Sequence, residues 1–323
     1  MSSPPVKIGL LLHTRHLIRD GGEGSHVSEL WDTAARAEQM GFDHLWIGDS
    51  PRLSMQDRAH ADCLTVTAAL AARTNRIKIG IVPLILAMRN PVLTAHSLAT
   101  LDVISGGRTI VGVSSVHQYQ FAQREFEACG VPYHQKAGRL NESIQILRRL
   151  WTEPSFAFSG KYYRFDELGI EPKPVQQPIP IWIAASDNDN ALRRVARLGD
   201  GWFTVAHTAA QFVERRRKID RYADEYGRTG KPIPSMLFAA FHLSYGAGAE
   251  AEGWGLAESY FRQPRAKIGH LSAFFGTPEQ CAEKLRPYID CGMTGFVARF
   301  VAHDTQTQMR LMLEELRPRV LPR

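Results

Sequence analysis

The chain has 323 residues, 44% hydrophobic and 22% charged, with 39 Lys and Arg against 33 Asp and Glu for a net charge of +6. This composition excludes a disordered or fibrous chain and leaves room for one large barrel or two ordinary domains. The basic residues are scattered, and the densest run, Glu214-Arg215-Arg216-Arg217-Lys218, falls inside a helical pattern. The excess therefore predicts no nucleic-acid partner and suits an anionic, phosphate-bearing cofactor.

Strand and helix patterns alternate along the chain. Val6 to Leu12 is an apolar run that predicts a first strand, and Val27, Leu30, Trp31 and Ala34 follow at helical spacing up to Gly41. His44 to Gly48 predicts a second strand, and Asp62 to Arg73 an Ala/Leu-rich helix. Ile77 to Leu86 is an unbroken apolar run, as expected for a strand buried on both faces. Asn90-Pro91 breaks it, Val92, Ala95 and Ala99 form a helical stripe, Ser105-Gly106-Gly107 stops that helix, and Thr109 to Val113 begins another strand. Further strands are expected at Pro180 to Ala185, Gly201 to Val205, Met236 to Leu243 and Gly295 to Val301, each followed by a helical pattern. Eight such units without a dividing linker predict a single (β/α)8 barrel domain over residues 1–323. A dinucleotide-binding alternative requires a Gly-rich turn after the first strand, where this chain has His13-Thr14-Arg15-His16.

Insertions are expected after strands four and seven. Gln118 to Tyr133 is a long connection, Ser155 to Phe165 alternates like a hairpin outside the barrel, and Gly246 to Gly276 carries Trp254, Tyr260, Phe261, Phe274 and Phe275. The last, about 246–276, is either a lid or a helix packing its aromatics on the barrel. The cysteines (Cys63, Cys129, Cys281, Cys291) lack metal-ligand spacing. No apolar stretch reaches spanning length and no leader is evident, so no membrane association and a cytoplasmic location are expected.

Barrel enzymes work at the C-terminal ends of their strands. Those ends carry His13, Asp49, Ser114 with His117 beyond, Ser186, His207, His242 and Arg299 with His303 beyond. Histidines there can move protons or hold anions. With no H-x-H or H-E-x-x-H pattern, no metal is expected. Ser186 precedes a helix start that suits a phosphate, although Asp187 and Asp189 compete for the same donors. Gly276-Thr277-Pro278-Glu279-Gln280 fits a capping box.

Several stretches carry a resemblance. Ala37 to Asp49 (AEQMGFDHLWIGD), Arg89-Asn90-Pro91, Thr100 to Arg108 (TLDVISGGR), Arg139 to Trp151 and Ala196 to Trp202 occur in the order found in the bacterial luciferase-like family of flavin and deazaflavin (F420) enzymes, which this chain resembles over nearly its whole length. The resemblance implies a (β/α)8 barrel, commonly a dimer, that binds a reduced flavin or deazaflavin at its mouth. It places a bulge and cis peptide near Val82, Pro83 and Leu84 beneath the cofactor ring, with the phosphate side toward Ser186, Gly276 and Thr277. Three departures stand out: Ser50 where many members have a catalytic His, Gly112-Val113-Ser114-Ser115-Val116-His117 where many have G-V-G-x-G, and Ala184-Ala185-Ser186-Asp187-Asn188 where a Gly-rich turn is usual.

The expectation is a luciferase-like monooxygenase using reduced FMN and O2 on a small organic substrate, with a separate flavin reductase as supplier and a homodimeric assembly. The alternatives are F420-dependent hydride transfer and a non-catalytic flavin-binding barrel. The expected catalytic residues are His13, Asp49 and His117. The expected cofactor contacts are Val82, Pro83, Leu84, Ser114, Ser115, Ser186, Gly276 and Thr277.

Overall fold

A computed structural model of the chain describes residues 5–14, 27–49, 61–115, 122–269 and 271–320. Strand and helix alternate as β1 (Lys7–Leu12), α1 (Val27–Met40), β2 (His44–Ile47), α2 (Cys63–Arg73), β3 (Lys78–Leu84), α3 (Pro91–Ser105), β4 (Thr109–Val113), α4 (Ala122–Ala128) and α5 (Lys136–Thr152). A hairpin of β5 (Phe156–Ser159) and β6 (Arg164–Leu168) interrupts the series. It resumes with β7 (Ile181–Ala184), α6 (Asp189–Leu198), β8 (Gly201–Thr204), α7 (Ala209–Glu225) and β9 (Ser235–Leu243). Then come α8 (Ala249–Phe261), α9 (Arg265–Ile268), β10 (Ala273–Gly276), α10 (Pro278–Asp290), β11 (Gly295–Phe300) and α11 (Thr305–Arg310), continued by a π turn and α12 (Arg317–Val320).

The parallel strands pair in the order β9-β11-β1-β2-β3-β4-β7-β8, and β8 pairs back to β9, which closes an eight-stranded barrel. The insertions fall after the fourth and seventh barrel strands, as expected. The Gly246 to Gly276 segment is not a bare loop. It supplies α8, α9 and the extra parallel strand β10, which pairs with Ala240 to Leu243 of β9 beyond the point where β8 stops.

The barrel's floor is built from one inward side chain per strand: Leu11, Trp46, Val82, Ile110, Trp182, Phe203, Met236 and Val297, all buried. Phe203 meets Trp46 edge-on at 4.7 Å and Trp182 at 5.2 Å, geometries that suit ring quadrupoles. Such large rings fit only because neighbouring strands give up side chains. A Cβ on Gly80 would lie 2.0 Å from the Trp46 ring, and one on Gly201 2.1 Å from Trp182. The outward positions of the same strands join the helices in the main core, including Leu10, Leu45, Ile81, Val111, Ile183 and Phe241.

The S-G-G-R turn is structural. Gly106 and Gly107 adopt φ values of 64° and 78°, the left-handed region that ends α3 without a Cβ penalty. The buried Arg108 then donates to the carbonyls of Ser105, Ala71, Thr74 and Ile77 and to Thr74 Oγ1, tying α2, α3 and β3 together below the barrel. Asp102, fully buried, accepts from the backbone and side-chain nitrogens of Gln176.

Candidate active site

Above the floor, the third strand breaks step. Ile81 pairs with Val111 but Leu84 pairs with Val113, so β3 carries one extra residue, and the Val82–Pro83 peptide is cis. Bulge and cis bond both fall where the resemblance puts them. The shifted register turns the Leu84 side chain outward into the main core, fully buried. Leu84 thus offers the mouth only its backbone, and Val82 and Pro83 form the apolar shelf.

Asp49 ends the second strand and fastens this shelf. Its Oδ2 accepts from the Ile85 N–H at 2.9 Å and its Oδ1 from Arg89 Nη2 at 3.1 Å. Arg89 also donates to Asp62 Oδ2 at 3.2 Å, so the R-N-P turn is pinned by two carboxylates. Burial opposes the charge on Arg89, but Asp49 beside it carries the balance and raises its pKa overall. Both oxygens of Asp49 are thus engaged, one by the β3 backbone and one by Arg89.

Around the rim, Ser114 follows Val113 next to Leu84, and Ser186 lies just beyond β7, which pairs with β4. The N-cap of α6 is Asn188, whose side chain accepts from the Ala191 N–H, so neither Ser186 nor Asp187 caps that helix. Asp187 instead faces Arg215, which donates to it through Nε at 3.0 Å. That pairing answers the competing charge noted in the sequence. On the far wall, Gly276 has φ 142°, and Thr277 caps α10 by accepting from Gln280 N while its own N–H donates to Gln280 Oε1. The box occupies both polar groups of Thr277, as the structural reading of that motif predicts.

The histidines separate. His13, just past the end of β1, and His242 on β9 follow the inward positions of their strands, while His207 and His303 are exposed. His117, with Ser50 and Val116, lies outside the described residues. His13 Nδ1 is 2.9 Å from the hydroxyl of Tyr260 on α8, with the rings 5.2 Å apart. His242 Nε2 is 3.1 Å from Glu252 Oε2, also on α8, at an ion-pair distance but out of line for a hydrogen bond. Arg299 of β11 lies between two rings, 4.6 Å from Phe238 and 5.4 Å from Phe261. Phe238 and Glu252 escaped sequence reasoning. The alternation of β9 marks Phe238 as inward once Met236 is placed on the floor, but nothing in the sequence connects Glu252 with His242. Among the described residues no cluster of His, Cys, Asp and Glu could hold a metal ion, and no helix is long and apolar enough to cross a membrane.

The fold is a (β/α)8 barrel, an architecture whose enzymes carry their chemistry at the C-terminal ends of the strands, and here those ends present an apolar shelf under a polar rim. The model of the luciferase-like monooxygenase family matches residues 6–252, and the chain belongs to that family of oxidoreductases. It is similar to the F420-dependent glucose-6-phosphate dehydrogenase of Nakamurella multipartita, 28% identical over 99% of this chain and 98% of that protein. The enzyme of the same name from Amycolatopsis mediterranei is 26% identical over 90% and 94%. Among solved structures, an F420-dependent secondary alcohol dehydrogenase superposes with a TM-score of 0.83 at 17% identity, covering 98% of this chain and 99% of that one. A monooxygenase from Streptomyces bottropensis superposes at 0.81 with 22% identity, covering 97% and 99%. At these identities the structural likeness shows the fold.

Proposed function

We propose that the chain is an F420-dependent oxidoreductase that moves a hydride between the deazaflavin and a hydroxyl-bearing or carbonyl carbon of a small substrate. The observation that carries this reading is the end-to-end similarity to F420-dependent glucose-6-phosphate dehydrogenases. The residues of the mouth fit such a group: Val82 and Pro83 offer a flat apolar support for a ring, and Ser114, Ser115 and Ser186 offer hydroxyls along one wall toward a polar tail. When bound, the deazaflavin accepts or donates the hydride. The chain's part is to hold the substrate carbon against the ring and to take the hydroxyl proton, a role assigned to His13 with His117 as second candidate. Asp49 keeps the shelf in place.

The second reading, a monooxygenase using reduced FMN and O2 with a separate reductase, is favoured by Ser50, which supplies no imidazole where many relatives have one. Equilibrium titration separates the two. The first reading expects oxidised F420 to bind at least about tenfold more tightly than FMN, a difference of about 1.4 kcal/mol. Tighter binding of FMN contradicts it.

A further inference from the structure

The insertion after the seventh barrel strand brings Tyr260 against His13, a residue 247 positions away just past the first strand. Tyr260 is packed like a core aromatic: its ring meets Phe261 edge-on at 4.8 Å beside a buried cluster of Ala257, Ile268, Phe275 and Val301. A phenylalanine satisfies that packing equally. The hydroxyl is what differs, and it bonds to an imidazole nitrogen at the mouth. A half-buried polar pair costs desolvation that an apolar pair avoids, so packing alone does not call for it.

We infer that Tyr260 is a positioning residue for His13, whose hydroxyl fixes the plane and tautomer of the imidazole and makes α8 part of the proton-transfer machinery. This rests on the hydride-transfer reading above. A phenol both donates and accepts, so the contact persists through the cycle. To take a proton at Nε2, the neutral ring must carry its hydrogen on Nδ1, and Tyr260 Oη accepts from that N–H. As the substrate hydroxyl gave its proton to Nε2 and the carbon bearing it gave up a hydride to a bound deazaflavin, the imidazolium would keep the same Nδ1–H donation to Tyr260. In the reverse direction Nε2 returns the proton to the carbonyl oxygen as the hydride reaches the carbon. Without the hydroxyl the Nδ1–H tautomer loses this acceptor, and the fraction competent as base falls.

Tyr260→Phe keeps the packing and removes the hydroxyl. The 15N chemical shifts of the His13 ring, assigned with His13→Gln, read its tautomer in the cofactor-free protein. The expected result is a dominant Nδ1–H tautomer in the wild type, a mixed population in Tyr260→Phe, and a kcat lowered about tenfold or more with KM nearly unchanged. Identical His13 shifts in the two proteins overturn the inference, whatever the activity. A changed tautomer with unchanged kcat overturns the catalytic part. Should the wild type show no F420 turnover, the function reading fails, while the ring shifts still decide whether Tyr260 governs His13.

Discussion

Asp49 sits at the mouth with 3% of its side chain exposed, and its two oxygens hold the β3 backbone and Arg89. Its position at a strand end was legible in the sequence. Its partners were not, because they depend on Arg89, 40 residues later, and on the bulge that brings the Ile85 N–H within reach. Asp49→Ala leaves the buried Ile85 N–H without its acceptor and takes from the half-buried Arg89 one of its two carboxylates, and is expected to cost about 3 kcal/mol in urea unfolding. A loss below about 1 kcal/mol contradicts the positioning role. His44, at the start of β2, belongs to the floor side. Burial lowers its pKa from 6.5 to about 4, with Lys7 and Lys78 adding to the effect and Asp43 opposing it. The folded state thus binds the proton less readily than the unfolded chain. Stability from this group is fully present above about pH 6.5 and is lost as pH falls toward 4. Over that window the wild type should lose on the order of 3 kcal/mol more than a His44→Gln variant. Parallel stability curves for the two proteins refute this.

Among the elements, the barrel strands were readable because parallel strands covered on both faces are continuous apolar runs, and the antiparallel hairpin because it alternates around Ser159-Gly160. Strand β10 was not recognised. Ala273-Phe274-Phe275-Gly276 is short, and its pairing depends on β9 outrunning β8, a tertiary fact without local signature. The fit of floor rings to missing side chains is likewise non-local: Gly80 looks like an interruption of an apolar run until Trp46 is laid across it. Gly80→Ala places a Cβ into a buried ring that cannot swing aside, and a loss of about 2 kcal/mol or more is expected by thermal unfolding. A neutral effect means that the ring lies elsewhere.

At the scale of the whole molecule, eight strand–helix units and their order were legible, whereas the loops that decide the chemistry were not. The turn wording that carried the resemblance, T-L-D and S-G-G-R, locks helices together beneath the barrel, so it speaks to fold and not to the choice between FMN and F420. That choice rests on the full-length similarity to F420-dependent dehydrogenases. A homodimer is also proposed. Leu93, Val103 and Ile104 on α3 are 68%, 45% and 50% exposed, apolar positions that a second copy would cover. Light scattering should give a dimer mass, and Val103→Glu with Ile104→Glu should give the monomer. An unchanged mass in the double variant excludes that face. The central claim is tested most directly by mixing the protein anaerobically with oxidised F420 and a panel of small alcohols and sugar phosphates while following the coenzyme's absorbance. Loss of the oxidised F420 band with at least one substrate, without oxygen, is the predicted result. No F420 reduction across the panel, together with substrate-dependent oxygen uptake when reduced FMN is supplied, would contradict it.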